Sequence, residues 1–420
     1  MPSRILAVWT RDIDTAESVG RLNVARAVRD VMARQGEVAH VRLHNLFERP
    51  SPRRFAAAFC AFAGGLLRGR PLPLQCLLFA DPPDAKTALQ DAARREVVYA
   101  DGVRVLLWLR RVRRRCPGVG LVVDMDDLMS RRCAEMLDRR LPLSLGYLER
   151  MLPRPLRRLV TAPALAAALL RYERMALRAA EAEILHMADR VVLLNAREAA
   201  LLADAAPPRP ARSARIVTIP PPAPAPVSVA AAPPRRAVFV GTDALAQNRL
   251  TIDYLLDLWE RARPALPLVI YGRQKRPPRT APNVAWAGWV DDVAEVYAPG
   301  SILLCPVFLR GGIKTKVLEG FAHGVPVIGN PASFEGLDLP AYPLCFADEA
   351  ALARFLADPA AQRPAMARAV EAASRCLARE HAPEVFRARW AAALGAGERR
   401  AATADHRTAP AGAWQPHAPR

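Results

Sequence analysis

The sequence predicts an α/β protein built from two Rossmann-like, doubly wound parallel-sheet domains that face a central cleft. Three observations predict it. The chain has 420 residues, more than one ordinary core accommodates. Short apolar runs alternate with helical patterns in both halves, the signature of strand–helix–strand units. A proline-dense stretch at 207–234, including "PPPAPAPVSVAAAPP", separates the two halves and reads as a semi-rigid linker.

In the first half (1–206), "RILAVW" reads as a strand and "VGRLNVARAVRDVMARQG" as a helical stretch with Gly36 as its stop. "VAHVRL", "CLLFA", "VRVLLWL", "GLVVD" and "RVVLLN" read as further strands, with a long helix from about Ala164 to Ala188. In the linker only "RIVTI" has strand character. The second half (235–382) repeats the alternation with "AVFVGT", "LTIDYLLDLWERA", "LVIYG", "VAWAG", "SILLCPV", "KVLEGFAHG" and "VPVIG". A helix at 383–395 is placed to return to the first domain, and the polar tail at 396–420 is expected to be disordered.

Composition narrows the partners. Hydrophobic residues make up 52%, enough for real cores, and the formal net charge is +19. Such a balance points to anionic partners, although a coding bias toward arginine accounts for part of it. No spaced Cys/His finger, basic zipper or aromatic RNP-like strand appears, so nucleic acid is not the expected partner. The seven cysteines are widely spaced and read as buried hydrophobes in a reducing, cytoplasmic compartment, with no metal site. The start of the chain runs directly into a strand, so no secretory signal is expected. "FAAAFCAFAGGLL", Phe55 to Leu67, is too short to span a bilayer; it reads as a core helix with a basic end in preference to a membrane-surface helix. Between Arg104 and Arg158 basic residues outnumber acidic ones. Association with an anionic inner-membrane surface is expected through Arg111 to Arg158.

The stretch that carries most chemistry is "RGGIKTKVLEGFAHGVPVIGNP", Arg310 to Pro331. The chain has only four lysines, and two of them, Lys314 and Lys316, lie here. Gly311 and Gly312 let backbone approach a ligand, and the helix that begins near Thr315 offers free N–H groups. Together these make a phosphate site. Glu319, one turn further on, is placed to accept vicinal ribose hydroxyls. Diphosphate and ribose side by side mean a nucleotide. In the first half, "VVDMDDL" ends a buried strand with acidic residues. Asp126 and Asp127 are candidates for the general base or the acceptor-orienting group, or else are helix-capping carboxylates.

"GGIKTKVLEGFAHGVPVIGNPASFEGL" resembles the donor-binding signature of nucleotide-sugar glycosyltransferases of the GT-B fold, notably glycosyltransferase family 4 of bacterial exopolysaccharide synthesis. "FVGTDALAQNR" is similar to that group's first strand and turn, and "AGWVDDVAEVYA" to its nucleobase segment. The resemblance implies a transferase that takes a nucleotide-sugar donor and a glycan or lipid-linked acceptor, without a metal or other cofactor. It implies that Glu319 holds the ribose; that Lys314, Lys316, Arg249 and the Gly312 backbone hold the diphosphate; and that Gly241 allows close approach there. Gly20 and Arg21 would face the phosphates from the first domain, and Val290 would meet the base. The sequence departs at Gly311, where many members carry a second acidic residue. Two alternatives stay open on these residues: a sugar-nucleotide 2-epimerase of the same fold, and a non-enzymatic nucleotide- or nucleic-acid-binding protein.

Overall fold

A computed structural model of the protein describes residues 3–15, 20–141, 154–205, 215–224, 226, 232–275 and 279–395. The expected tail at 396–420 lies outside these residues.

The first sheet contains β1 (Ser3–Trp9), β2 (Gly36–Arg42), β3 (Val97–Asp101), β4 (Gly120–Asp126), β5 (Arg190–Leu193) and β6 (Arg215–Thr218), in the order β2-β1-β3-β4-β5-β6. The second contains β7 (Arg236–Val240), β8 (Leu268–Tyr271), β9 (Val284–Gly288), β10 (Ser301–Leu304) and β11 (Val327–Ile328), in the order β11-β10-β7-β8-β9. Every strand pair is parallel. The order reverses at β1/β3 in one sheet and at β7/β10 in the other. Ligands settle at such switch points, beyond the carboxyl ends of the strands.

The helices of the first domain are α1 (Gly20–Gln35), α2 (Pro52–Leu67), α3 (Leu74–Leu77), α4 (Ala85–Ala92), α5 (Leu106–Arg115), α6 (Met129–Asp138), α7 (Arg154–Thr161), α8 (Pro163–Met187) and α9 (Ala196–Ala205). Those that follow are α10 (Ala246–Ala262), α11 (Thr315–Ala322), α12 (Glu349–Ala357), α13 (Arg363–Cys376) and α14 (Pro383–Leu394). Alternation along the strands splits the first core in two. Leu6, Val8, Val98 and Ala100 pack under α4, α5 and α8. Ile5, Ala7, Val97 and Tyr99 pack under α1 and α14. α14 therefore belongs to the first domain's core. Its Trp390 ring lies 5.8 Å from that of Tyr99, and Arg190 Nη1 donates to the carbonyls of Ala392 and Ala393 at 2.8 and 2.7 Å.

The chain thus crosses between domains twice. The two crossings are bonded to each other: His381 Nδ1 lies 2.8 Å from Pro221 O, and Ala223 N–H donates to His381 O at 2.9 Å. A π-turn at Leu377–His381 makes the second crossing.

Three expectations need correction. "RIVTI" is not linker: β6 pairs with β5, so the first domain extends past 206. "CLLFA" is a short helix and turn, and "VRVLLWL" is a 3-10 turn leading into α5. The central strand is instead "VVYAD", all five residues of which are buried. Short apolar runs fit a buried helix as well as a buried strand, and the spacing of Leu106, Leu109 and Val112 follows the helical period. Arg110 consequently does not end a strand at the ligand edge. It sits on α5 and makes a two-pronged pair with Glu183 at 2.6 and 2.7 Å.

Candidate active site

In the second domain the loop after β10 turns through Gly311 (φ 110°) and Gly312 (φ 59°), backbone that glycine adopts without strain. It enters α11 with no side chain capping the helix start. Lys316, in the first turn, reaches back across the switch point. Its Nζ donates to Val240 O at 2.9 Å and Asn248 Oδ1 at 3.0 Å, and lies 4.6 Å from the centre of the Phe239 ring. An ammonium has three donors, so one remains for a ligand. Lys314 Nζ donates to Gly311 O and thereby ties the loop to the helix start. Burial pushes both lysines down from their ordinary pKa.

Glu319 is half-buried, and burial pushes its carboxyl up, with Lys316 opposing. Its carboxylate takes no hydrogen bond and no ion pair from any described residue. Arg249, in the first turn of α10, is likewise half-buried and its guanidinium is unpartnered among the described residues. Gly241 closes the turn after β7, where a side chain would strike Asn248. Val290 follows β9 and packs against the edge of the second core. Beside it Trp289 is 56% exposed, with the Arg273 guanidinium 4.9 Å from its ring centre.

The first domain brings a dense charge cluster to the same cleft. Arg21, in the first turn of α1, pairs with Asp124 at 2.8 Å, Asp101 at 3.2 Å and Asp126 at 3.3 Å. Its Nη1 is buried and finds no acceptor. Arg11 pairs with Asp101 at 2.8 Å, and Tyr99 donates to Asp124 at 2.8 Å. Burial pushes the Asp101 carboxyl up, but Arg11 and Arg21 outweigh it and hold it well below the usual range. Asp126 behaves oppositely. It sits at φ 65° beside an irregularity in the β4–β5 register, and burial pushes its carboxyl up to about 6. Arg21 opposes that rise, while Asp127 and Asp124 add to it. Asp127 is buried and paired to Arg132.

The two halves meet. A side chain on Gly20 would collide with Thr315, so the starts of α1 and α11 face each other. Side chains on Gly311 or Gly312 would come within 3.8 Å of Asp127. Gly312 N–H donates to Glu198 Oε2 at 3.1 Å. Glu198, on α9, is fully buried; it also accepts from Leu128 N–H at 3.3 Å and from Asn195 Nδ2 at 2.8 Å. Arg131 pairs across the interface with Glu335 at 2.5 Å.

Glu198, Arg131, Arg132 and Glu335 were not singled out by the sequence. Glu198 had a local signal: "NARE" is a capping box, with Asn195 Oδ1 accepting from Glu198 N–H at 2.9 Å. Nothing local showed that its carboxylate reaches the other domain. The histidines pack. His323 stacks on Tyr297 at 4.8 Å and His40 accepts from Trp9 Nε1 at 3.2 Å.

Residues 234–358 match the family model of Glycosyl transferases group 1. No curated protein sequence matches the chain. Among solved structures it is similar to HepE from Anabaena, in complex with UDP-glucose, at 11% identity and TM-score 0.59 over 93% of this chain and 99% of that one. Sucrose-phosphate synthase from Thermosynechococcus elongatus is similar at 14% identity and TM-score 0.55, over 96% and 100%. The lipopolysaccharide outer core galactosyltransferase WaaB, in its apo form, is similar at 11% and 0.51, over 93% and 99%. Fold and matched domain define the class. The chain shares the two-domain GT-B fold of these structures, and residues 234–358 form a glycosyl transferases group 1 domain.

Proposed function

We propose that the protein moves a sugar from a nucleoside-diphosphate sugar to a hydroxyl of a glycan or lipid-linked acceptor in surface-polysaccharide synthesis, at the face of an anionic membrane. One observation carries this reading: the unpartnered Glu319 carboxylate lies one turn from Lys316 and the uncapped start of α11, at the switch point of the second sheet. Burying a carboxylate without partners is costly, and ribose hydroxyls would satisfy it. The relatives whose structures hold UDP-glucose or UDP support a uridine donor.

Lys314, Lys316, Arg249 and the Gly312 amide take the diphosphate, Gly241 lets it approach and Val290 borders the base. Charge that grows on the leaving diphosphate is what catalysis must stabilise, and cations beside a helix N-terminus supply that. Gly20 and the spare Nη1 of Arg21 meet the donor from the first domain. Asp126 accepts the proton of the acceptor hydroxyl, because its raised pKa makes it a stronger base than an ordinary aspartate. Asp127, fixed by Arg132, orients the acceptor. The Gly312 amide that the diphosphate needs is held by Glu198, so donor entry exchanges that bond for one to phosphate.

A thermal-shift screen against UDP, GDP, CDP and dTDP tests the reading, since a ligand that binds only the folded state raises its melting temperature. One of the four is expected to stabilise the protein, with UDP foremost. No shift with any of them removes the nucleotide site. Conversion of the donor to an epimer without an acceptor would move the assignment to the isomerase alternative.

A further inference from the structure

The helix α2 is not a core helix. Of its 16 residues only Arg54 and Gly65 are buried. The Arg54 guanidinium anchors it, donating to the carbonyls of His44, Asn45 and Arg49 at 2.7, 2.9 and 2.6 Å. The sequence "FAAAFCAFAGGLL" therefore turns its apolar side chains outward. Phe55 is 47% exposed, Phe59 70%, Leu66 48% and Leu67 89%. Phe55, Phe59 and Leu66 follow i, i+4, i+11 and form one stripe along the helix, and Leu67, its last residue, is exposed about 100° further round.

Soluble surfaces do not ordinarily carry such a stripe on a helix that buries almost nothing beneath it. Its surroundings are basic. From Arg49 to Ala80 the chain has five arginines and no acidic residue. Arg53, Arg68 and Arg70 are exposed at the two ends of the helix. Between α2 and α5 runs a groove of about 610 Å³ with Ala57, Ala61 and Gly64 on one wall and arginines from α5 on the other. Arg114 and Arg115 extend the basic rim into water.

We infer that α2 is the membrane-contacting element, lying in the interface of an anionic bilayer. Phe59, Leu66 and Leu67 enter the acyl boundary, and Arg68 and Arg70 meet the headgroup phosphates. An apolar stripe with cationic flanks is complementary to that environment; a second copy of the chain would bring the same positive charge to the stripe and be repelled. No described helix is long and apolar enough to cross a membrane, so contact through α2 is peripheral. The helix begins after the loop at the carboxyl end of β2, the edge strand of the first sheet. The inference deepens the membrane part of the proposed function. It moves the contact from Arg111–Arg158, where Arg111 is paired to Asp81 and Arg113 to Asp189 and residues 142–153 lie outside the described chain, to α2.

The full chain is tested by co-sedimentation with vesicles of phosphatidylcholine alone, and of phosphatidylcholine with phosphatidylglycerol, at low and raised salt. Binding to the anionic vesicles only, weakened by salt, is expected. Phe59→Ser with Leu67→Ser should weaken it at least about tenfold, and Arg68→Glu with Arg70→Glu by a similar factor. Both pairs are on the surface, and both variants should titrate UDP as the parent does. Equal binding to neutral vesicles, or parent-like binding by either variant, overturns the proposal. So does a dimer of the parent in solution that the Phe59/Leu67 variant converts to monomer. Lipid binding that depends on α2 in a chain that binds no nucleotide would leave this surface standing and remove the transferase reading.

Discussion

The two strand-end sites differ in how their charges are spent. In the first domain nearly every charge is paired within the protein: Arg21 with three aspartates, Arg11 with Asp101, Arg132 with Asp127. In the second domain the Glu319 carboxylate and the Arg249 guanidinium have no partner among the described residues, and Lys316 keeps one donor free. A saturated cluster holds a geometry and suits a neutral hydroxyl that must be oriented and deprotonated. An unsaturated one awaits an ionic, polyhydroxylated ligand. On the proposed reading, the difference matches acceptor chemistry to the first site and donor binding to the second.

The largest expected effect sharpens the first half of that contrast. Asp126→Asn should lower turnover by roughly 10²–10⁴ while leaving nucleotide affinity at the parent value, measured by steady-state kinetics and titration. Asparagine tolerates the left-handed backbone at φ 65°, so the fold should survive. The pH profile checks the same group. Only the ionised form accepts a proton, so the parent rate should fall as pH drops through about 6, and should be flat above it. The sign for stability is opposite. A carboxyl whose folded pKa is raised costs stability when ionised, above about pH 6, and that cost is relieved as pH falls through 6. A turnover of Asp126→Asn equal to the parent's would remove the base from this residue.

The next effect breaks the saturated cluster itself. Arg21→Met leaves Asp101, Asp124 and Asp126 without their shared cation, and should destabilise the first domain by about 3–5 kcal/mol, read as a lowered denaturation midpoint. Arg249→Met, which removes an unpaired cation, should leave stability nearly unchanged and weaken nucleotide binding instead. Equal destabilisation by the two would erase the distinction between the sites.

A smaller effect falls on the contact between them. Glu198→Ala strands the amides of Leu128 and Gly312 and should weaken domain closure by about 1–3 kcal/mol. Small-angle scattering should then show a larger radius of gyration without nucleotide and a compact form with it. An unchanged radius would mean that Glu198 does not hold the domains together.

What was legible in the sequence was local. The second-domain loop could be read because glycines, lysines and Glu319 fall within nine residues, on one turn and the helix after it. Most strands were visible as apolar runs. β3 was not, because "VVYAD" is five residues long and sits between a charged turn and a longer apolar run that looked better. The strand at β6 was seen, but its proline-rich flanks hid its place in the first sheet. Pairings across long separations were invisible: Arg21 with Asp101 and Asp124, Glu198 with Gly312, Arg131 with Glu335. α2 was legible as an apolar helix. Its outward orientation was not, because a stripe of phenylalanine and leucine has the same period whether it meets a core or a bilayer.

The central claim is that the unspent charges around Glu319 form the donor site. The measurement is UDP titration, by calorimetry, of the parent and of folded Glu319→Ala, Lys316→Ala and Lys314→Ala variants. The account predicts that Glu319→Ala binds roughly tenfold to a hundredfold more weakly, since a hydrogen bond to a charged group contributes about 1.5–3 kcal/mol. The lysine variants should lose turnover more than affinity, because their charge is needed most when the glycosidic bond breaks. Parent-like affinity and turnover in all three variants would contradict it.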